Sequence, residues 1–276
     1  MKVIVAEHAG FCFGVKRALD MALEAAQKGT PLYTLGPLIH NPQVVEKLRA
    51  AGVAVVKDVS EVKGGALIMP SHGVAREVKE AAMAAGLNVI DATCPFVAKV
   101  HKRAESLAQA GFHVAVVGDP GHSEVKGIVS AAGGHATAVW SEQEAESLDW
   151  PARVGIVTQT TQTSDRFRAV ARAISKRVGE TRAFNTICYA TRDRQSAALE
   201  LAPQVEAILV VGGRNSANTN RLREICESTG VPTYHIETAD EIQEEWLVGK
   251  SVVGVTAGAS TPDWIIEEVR RRLEEH

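Results

Sequence analysis

Four cysteines, Cys12, Cys94, Cys188 and Cys226, are the residues of this sequence with the widest chemical range. The first three each follow a short apolar run and precede a helix-like stretch, as in DATCPFVAKV around Cys94. A helix N-terminus lowers the pKa of a thiol, because its N–H groups and positive dipole end favour the thiolate. Thiolate is the form of cysteine that binds metal, so the sequence predicts a metal centre held by these three residues.

The local spacing of the cysteines excludes two common metal motifs. No C-x-x-C occurs, so zinc-ribbon and ferredoxin patterns are absent. The alternative to a metal centre is that the three are small, buried, inert residues, which their equivalent positions after strands disfavour. Cys226 differs, because in NRLREICESTG it shares a helical face with Leu222, and it is predicted to be a buried structural thiol.

Six further loops carry polar side chains at the ends of predicted strands. They hold His40, His72, His122 with Glu124, the run from Thr158 to Thr161, Ser216 with Asn218, and Ser260. One explanation is helix capping, since Ser, Thr and Asn are favoured N-caps. The set as a whole favours a pocket, because hydroxyl, amide and imidazole donors at helix N-termini suit a phosphate or diphosphate. Glu124 is the one carboxylate among them and therefore the predicted proton carrier.

The fingerprints of common nucleotide cofactors are absent. Neither G-x-x-x-x-G-K-[ST] nor G-x-G-x-x-G occurs, which argues against resident ATP, NAD or FAD. The pocket is therefore expected to hold a small anion through neutral donors and histidines.

The elements that position these residues alternate regularly along the chain. Nine short apolar runs each lead through a loop into an amphipathic stretch, from VIVAEHAG at the start to SVVGVTAGAST near the end. This order is typical of α/β folds whose parallel strands are covered on both faces. Grouped in threes, the units predict three α/β modules, 1–93, 94–187 and 188–276, each with one of the three cysteines. A single doubly wound sheet is the alternative.

The bulk composition is that of an ordinary soluble globular protein. Of the 276 residues, 45% are hydrophobic and 23% are charged, and the formal net charge is −3. This balance creates no strong field for nucleic acid or membrane surfaces, so neither is expected as a partner. No stretch approaches the roughly 18 apolar residues of a membrane helix and no secretory signal is recognised, so we expect a cytoplasmic protein with reduced thiols.

Eight motifs of this sequence, in their order, resemble the LytB family, the 4-hydroxy-3-methylbut-2-enyl diphosphate reductases of the non-mevalonate isoprenoid pathway. The motifs are GFCFGVKRA, GPLIHNPQVV, PSHGV, DATCP, GHSEV, TQTT, GGRNSANTNRL and TAGAST. Each motif is weak alone, but the ordered set is specific and covers essentially the whole chain.

The resemblance implies three α/β modules in a trefoil around one [4Fe–4S] cluster. The cluster ligands match Cys12, Cys94 and Cys188, which leaves the fourth iron open to the hydroxyl of the substrate. Glu124 matches the proton relay of the family, and Thr160 and His122 complete the catalytic set. The residues that match the diphosphate pocket are His40, His72, His122, Thr160, Ser216, Ala217, Asn218 and Ser260.

The resemblance also implies the partners of the reaction. The substrate is a small diphosphate, and the electrons come from an outside carrier, a ferredoxin or flavodoxin. One position departs from part of the family, since Ala217 stands where some relatives carry a second serine. A backbone N–H can replace that hydroxyl as a donor to the diphosphate, so the expected activity is unchanged.

Two other functions are compatible with parts of the pattern. A non-enzymatic iron–sulfur sensor needs the three cysteines but neither Glu124 nor the polar loops. A metal-free protein that binds or transfers sugar phosphates needs the polar loops but not the cysteines. The reductase is the function that uses both sets of residues.

Overall fold

The computed structural model describes residues 1–276 as an α/β protein with twelve β-strands and ten α-helices. The strands are β1 (Lys2–Val5), β2 (Leu32–Leu35), β3 (Val53–Val56), β4 (Ala66–Met69), β5 (Asn88–Asp91), β6 (His113–Val117), β7 (Ala136–Val139), β8 (Arg153–Thr158), β9 (Glu180–Ala183), β10 (Ala207–Val211), β11 (Thr233–Ile236) and β12 (Val252–Ala257). The α-helices are α1 (Phe13–Ala26), α2 (Pro42–Ala50), α3 (Arg76–Ala84), α4 (Pro95–Gln109), α5 (Ser123–Ala131), α6 (Glu142–Ser147), α7 (Ser164–Ser175), α8 (Tyr189–Leu201), α9 (Ala217–Ser228) and α10 (Asp263–Glu274). None of them has both the length and the apolar content needed to span a membrane.

The twelve strands form three four-stranded sheets in which every strand pair is parallel. The strand orders are β1-β12-β10-β11, β5-β4-β2-β3 and β9-β8-β6-β7. The edge strand written first in each order is the one that leads along the chain to Cys12, Cys94 or Cys188. The predicted fold class, α/β with small parallel sheets, is confirmed, and a single doubly wound sheet is excluded.

The sheet that contains β1 is assembled from both ends of the chain. β1 pairs with β12, from Lys2 opposite Val252 to Val5 opposite Val255. In the other two sheets the strand before the cysteine comes last in sequence, whereas here it comes first. β1 therefore lies inside the predicted module 1–93 but pairs with β12 of the predicted module 188–276. As a division into domains, the three-module boundaries stay a prediction.

Three strands, β3, β7 and β11, lie outside the nine that the sequence pattern predicts. All three occupy the equivalent outer edge of a sheet, have four residues and are partly exposed. A short edge strand lacks the long apolar run of a strand buried on both faces. The pattern that reveals the central strands is therefore too weak at these edges.

The strand β9 ends at Ala183, although the pattern AFNTIC predicts a strand that continues to Cys188. The cause is Thr186, whose hydroxyl accepts a hydrogen bond from the Thr158 N–H at 2.8 Å and donates one to the Thr158 carbonyl at 2.6 Å. A side chain thus takes the place of a backbone partner in the sheet. Residues 184–188 form a loop that leads to the cysteine.

The chain divides into two compact units. The first contains Met1–Lys16, Ile39–Glu46 and Tyr189–His276, and it includes the sheet of β1, β12, β10 and β11. The second contains Arg17–Leu38 and Lys47–Cys188, and it includes the other two sheets.

The central strands are buried on both faces. In the first unit, Leu209 and Val211 of β10 pack into one core with residues of α10, while Ile208 and Val210 pack into another with residues of α8 and α9. Successive residues of β6 alternate in the same way between two cores of the second unit. Burial on both faces explains why these strands are continuous apolar runs in the sequence.

Two of the helices that follow a cysteine cover a sheet other than the one their preceding strand belongs to. The helix α4 follows β5, but its residues Val100, Ala104 and Leu107 pack in the core of β6 and β8. The helix α8 follows β9, but Ala198 packs with Ile208 of β10. Cys94 and Cys188 therefore lie where the chain passes from one sheet to the next.

Candidate active site

Cys12, Cys94 and Cys188 share one backbone environment. Each comes directly before the first residue of a helix, α1, α4 or α8, as the sequence predicts. The N–H of each cysteine donates a hydrogen bond to the carbonyl of the second residue beyond β12, β4 or β8. The bonds run from Cys12 to Ala259 at 3.1 Å, from Cys94 to Ser71 at 2.9 Å and from Cys188 to Thr160 at 3.1 Å. Three equivalent loops thus hold the three cysteines in the same way.

The thiols of these three cysteines are partly exposed and form no disulfide. The Cys94 side chain occupies the N-cap position of α4 without making a capping hydrogen bond. Cys226, by contrast, is fully buried with Ile208 and Leu222, and burial raises the pKa of its thiol to about 12. A thiol with that pKa stays protonated near neutral pH, which makes Cys226 a structural residue.

In the first compact unit, three segments carry five residues predicted to bind the diphosphate. These residues are His40, Ser216, Ala217, Asn218 and Ser260. The Ser260 hydroxyl donates a hydrogen bond to the His40 carbonyl at 3.1 Å. The Asn218 side-chain oxygen accepts one from the Ala259 N–H at 2.9 Å, and Ala259 is also the partner of Cys12. The predicted residues of this unit therefore form one connected cluster beside Cys12.

The start of α9 supplies backbone donors to this cluster. Ser216 is the N-cap, and its hydroxyl accepts a hydrogen bond from the Thr219 N–H at 3.3 Å. Ala217 and Asn218 are the first two helical residues, and first-turn N–H groups have no partner within a helix. Such a helix start offers an anion both N–H donors and the positive end of the dipole. The backbone donor expected at Ala217 thus belongs to the first turn of α9.

Close backbone approach brings these segments together. A Cβ atom at Gly213 would lie 2.7 Å from the His40 carbonyl oxygen, and one at Gly258 would overlap the Thr219 hydroxyl. Any other residue would displace the backbone at Gly213 and the Thr219 side chain at Gly258. Burial lowers the pKa of His40, so its imidazole is neutral near pH 7. None of the five predicted residues of this unit therefore carries a charge near pH 7, and their role as donors to a diphosphate stays a prediction.

In the second compact unit, Glu124 and Thr160 form a buried hydrogen-bonded pair. The Thr160 N–H donates to one carboxylate oxygen at 2.6 Å and its hydroxyl donates to the other at 3.0 Å. Glu124 lies in the first turn of α5 and is only 2% exposed. Burial raises the pKa of Glu124 to about 7, although the two bonds from Thr160 act in the opposite direction. A carboxyl that titrates near neutral pH is suited to carry a proton.

His122 and His72 lie next to this pair. His122 is the N-cap of α5, and its Nδ1 accepts a hydrogen bond from the Glu124 N–H at 3.1 Å. A ring nitrogen that accepts is unprotonated, so in the neutral ring the proton is on Nε2. The rings of His122 and His72 meet edge to face, with centroids 6.2 Å apart. Two loops of this unit, those after β4 and β6, thus bring their predicted histidines together.

Thr160 also connects the Glu124 carboxyl with Cys188, because its carbonyl accepts the Cys188 N–H. On the other side, Ser71 accepts the Cys94 N–H and is the chain neighbour of His72. A continuous series of contacts therefore runs through Cys94, Ser71, His72, His122, Glu124, Thr160 and Cys188. All six residues predicted for this unit are brought into one group.

One buried charge at the site, Arg194 of α8, is not among the residues found in the sequence. Its guanidinium donates hydrogen bonds to the carbonyls of Gly10 and Ala190, and Gly10 lies two residues before Cys12. The sequence does contain a signal for a buried arginine, because Arg194 lies on the same apolar face of α8 as Ala198 and Leu201. An arginine at such a position is rarely buried unless it has partners.

The motifs that carry the site also identify the family. The family model for the LytB protein matches residues 3–274. The chain belongs to the LytB family. The match includes every residue of both clusters, and it confirms the resemblance that the ordered motifs show.

Curated relatives extend the LytB match at high identity. The 4-hydroxy-3-methylbut-2-enyl diphosphate reductase of Geotalea uraniireducens (strain Rf4) is 53% identical over 274 residues, 99% of this chain and 97% of the relative. The protein of the same name from Trichlorobacter lovleyi is 52% identical over 275 residues, 100% of this chain and 98% of the relative.

Two solved structures share the LytB fold. One is an (E)-4-hydroxy-3-methyl-but-2-enyl diphosphate reductase, described as the terminal enzyme of the non-mevalonate pathway, with 44% identity, a TM-score of 0.71 and full coverage of both chains. The other is the E-1-hydroxy-2-methyl-but-2-enyl-4-diphosphate reductase from Plasmodium falciparum, with 27% identity and a TM-score of 0.93 over 99% of this chain and 87% of that one.

Proposed function

We propose that this LytB protein is a 4-hydroxy-3-methylbut-2-enyl diphosphate reductase that uses a [4Fe–4S] cluster. The reaction takes up two electrons and two protons, breaks the allylic C–O bond and releases the hydroxyl as water. Isopentenyl diphosphate and dimethylallyl diphosphate are the products. Relatives that carry this name at 52–53% identity over almost the whole chain support the proposal.

The observation that carries the proposal is the buried Glu124 carboxyl, held by Thr160. Hydroxide is a poor leaving group, so the hydroxyl must receive a proton as it departs. A positioned acid with a pKa of about 7 can give that proton and regain it from water. The Thr160 carbonyl also accepts a hydrogen bond from the Cys188 N–H. Thr160 therefore links the Glu124 carboxyl to a proposed cluster ligand.

The residues proposed to hold the cluster are Cys12, Cys94 and Cys188. They are the three partly exposed cysteines of the chain, and each lies directly before the first residue of a helix. Iron–sulfur clusters take thiolate ligands, so this donor set fits one. When bound, the cluster supplies the electrons and an open iron that acts as a Lewis acid towards the hydroxyl oxygen.

The diphosphate is proposed to bind through neutral donors. In the first unit these are His40, Ser216, Asn218 and Ser260, together with the N–H of Ala217 at the start of α9. In the second unit, His72 and His122 are the proposed ligands, and the hydrogen bond from Glu124 N–H to His122 Nδ1 leaves Nε2 of His122 as a donor. An arrangement of N–H and O–H donors around an anion holds it without burying a fixed positive charge.

Anaerobic purification followed by iron and sulfide reconstitution tests the proposal. We expect visible absorption from one cluster per chain, and both diphosphate products when dithionite-reduced methyl viologen and substrate are added. Cluster absorption without turnover would point to an iron–sulfur sensor instead. A colourless protein that binds phosphorylated ligands would point to a metal-free binding protein, and either outcome overturns the reductase.

A further inference from the structure

An arginine of the helix that follows Cys12 holds the loop before Cys94. Arg17 of α1 donates a hydrogen bond to the Thr93 carbonyl at 3.3 Å, and both residues belong to the second compact unit. The same peptide unit carries the Cys94 N–H, which donates to the Ser71 carbonyl at 2.9 Å. Both polar groups of the peptide unit before Cys94 are therefore fixed, one of them by a charged side chain.

An arginine of the helix that follows Cys188 holds the loop before Cys12 in the same way. Arg194 of α8 donates to the carbonyls of Gly10 and Ala190, and all three residues belong to the first compact unit. Gly10 lies two residues before Cys12, and Arg194 and Cys12 line one cleft of about 200 Å³. The planar guanidinium thus ties the start of α8 to the loop that carries Cys12.

The helix that follows Cys94 makes a contact of another kind with the loop before Cys188. The Arg103 guanidinium of α4 lies over the Phe184 ring, 4.3 Å from its centroid, and both residues belong to the second unit. Arg103 is exposed, and a cation over an aromatic ring contributes least at exposed positions. With this contact the series closes, because the loop before each cysteine is held by the helix that follows another cysteine.

Burial and charge make the contacts of Arg194 and Arg17 the firm ones of the three. Arg194 is 4% exposed and Arg17 is half-buried. A guanidinium stays charged near neutral pH, and a buried charge costs free energy unless it is hydrogen-bonded. Hydrogen bonds from a charged donor are also stronger than those between neutral groups. The two loops that accept these bonds are therefore held firmly.

We propose that Arg17 and Arg194 are positioning residues, which hold Cys94 and Cys12 through the backbone in the places that a three-thiolate metal centre requires. The inference rests on the proposed function, because the metal centre is the proposed [4Fe–4S] cluster. Loss of a residue that orients a metal ligand from outside typically lowers metal affinity by about 10–100-fold. Three cysteines leave no spare protein ligand, so one loosened loop weakens the hold on the whole cluster.

Hydrogen exchange tests the position of the Cys94 loop. Arg17→Met is compared with wild type and with Lys16→Met, which removes an exposed cation from the neighbouring position of α1. Exchange of the segment 91–94 is followed by mass spectrometry on the reconstituted protein and on the same chain before reconstitution. We expect it to be at least about tenfold faster in Arg17→Met alone, with the segment around Cys188 within about twofold of wild type. Equal acceleration of both segments would indicate a general loss of stability and would overturn the positioning role.

The Cys12 loop is tested by Arg194→Met, with Arg192→Met as the control on an exposed residue of the same helix. The segment 10–12 should exchange at least about tenfold faster in Arg194→Met and at the wild-type rate in Arg192→Met. If Arg194→Met does not fold, Arg194→Lys takes its place, because lysine keeps the charge but lacks the planar fork that bridges two carbonyls. A wild-type exchange rate in the folded variant would contradict the role of Arg194.

Loss of iron from the holoprotein to a chelator links the position of the loops to metal binding. We expect iron loss to be at least about tenfold faster in Arg17→Met and within about twofold of wild type in Lys16→Met. Arg17→Lys should restore the wild-type rate, because one ammonium N–H suffices for the single bond to Thr93. Unchanged iron loss in Arg17→Met, or a defect that lysine does not reverse, would overturn the inference. A wild type that takes up no cluster would overturn the proposed function instead, and hydrogen exchange of the two loops would still decide on the arginines.

Discussion

Both carboxylate oxygens of Glu124 accept their hydrogen bonds from a single residue, Thr160. Two bonds from one residue fix the position and the plane of the carboxyl. Both bonds favour the charged form, yet burial outweighs them and raises the pKa of Glu124 to about 7. The carboxyl is thereby held in one orientation and close to the pH at which it can both give and take a proton.

The substitution Glu124→Gln is expected to lower turnover by about two orders of magnitude or more, the range of general acid catalysis. Glutamine keeps the size of the side chain and can accept from the Thr160 N–H, but it has no carboxyl proton to donate. Steady-state kinetics of the reconstituted protein, with the cluster absorption of the same sample, measure the effect. The control is Glu77→Gln, which changes an exposed carboxyl in the first turn of α3. Turnover near that of wild type in Glu124→Gln would end the proton-carrier role.

The pH dependence of stability should report the raised pKa of Glu124. The folded carboxyl binds its proton up to about pH 7 and the unfolded one only to about pH 4.5, so this group stabilises the fold fully below 4.5. That contribution is lost as the pH rises towards 7, by about 1.4 kcal/mol per pH unit and about 3 kcal/mol in total. Denaturant unfolding of wild type and Glu124→Gln between pH 5 and 8 should show the variant gaining relative stability up to about pH 7. A difference that does not change with pH would contradict a buried titrating carboxyl.

Three single variants, Cys12→Ser, Cys94→Ser and Cys188→Ser, should each lose stable cluster binding and turnover. The reason is that an alkoxide is a far weaker ligand for iron than a thiolate. Iron analysis and visible absorption after anaerobic reconstitution measure the loss. The matched control is Cys226→Ser, which should keep iron and activity but lose about 1–3 kcal/mol of stability for a buried hydroxyl without a partner. An iron-free Cys226→Ser would show that the ligand set is different.

The diphosphate cluster of the first unit is tested by Ser260→Ala and Ser216→Gly. Each should weaken substrate binding by about 1–3 kcal/mol, because a charged acceptor loses a donor. Glycine is chosen at Ser216 because it replaces an N-cap serine at a cost of only a few tenths of a kcal/mol, which separates capping of α9 from ligand binding. Binding of the substrate and of the alcohol without its diphosphate is compared by calorimetry. Equal affinity of wild type for the two compounds would contradict the proposal that these residues bind the diphosphate.

The loop before Cys12 depends on Gly10, and Gly10→Ala should destabilise the protein by more than about 1–2 kcal/mol. The backbone φ of +99° disfavours any side chain, and a Cβ atom would lie 2.7 Å from the Asp263 carboxylate. The control Gly29→Ala has a positive φ of +71° but open space around the new Cβ atom, so it carries the backbone cost alone. Melting temperatures of the two variants measure the difference, and equal losses would show that the Asp263 contact is irrelevant.

The central strands, the edge strands before the cysteines and the helix starts were predictable from the sequence, whereas the opposite edge strands β3, β7 and β11 were not. The strands β10 and β6 are buried on both faces, so each is a continuous apolar run in the sequence. β3, β7 and β11 are short and partly exposed, and their existence depends on the neighbouring strand rather than on their own residues. Helix starts are signalled locally by residue type, which is why the placement of Cys94 before Pro95 could be anticipated.

The site was predictable as a set of residue types but not as a set of bonds. Glu124 stood out as the one carboxylate among the polar loops, yet its pairing with Thr160 joins loops of different strands, and no local spacing encodes such a contact. The sequence analysis did not select Arg194, because this residue lies in no polar loop. It lies within a regular helix, and its role depends on the Gly10 carbonyl at the far end of the chain.

The pairing of β1 with β12 has a consequence for the order of events during synthesis. Cys12 leaves the ribosome long before Ala259, whose carbonyl accepts a hydrogen bond from the Cys12 N–H. Chains emerge at about 5–20 residues per second, so the first strand waits for many seconds without its partner. The other two sheets can close before that moment, since each is made from one continuous stretch of chain. The loop that holds Cys12 can therefore take its final form only after β12 and Ala259 have been synthesised.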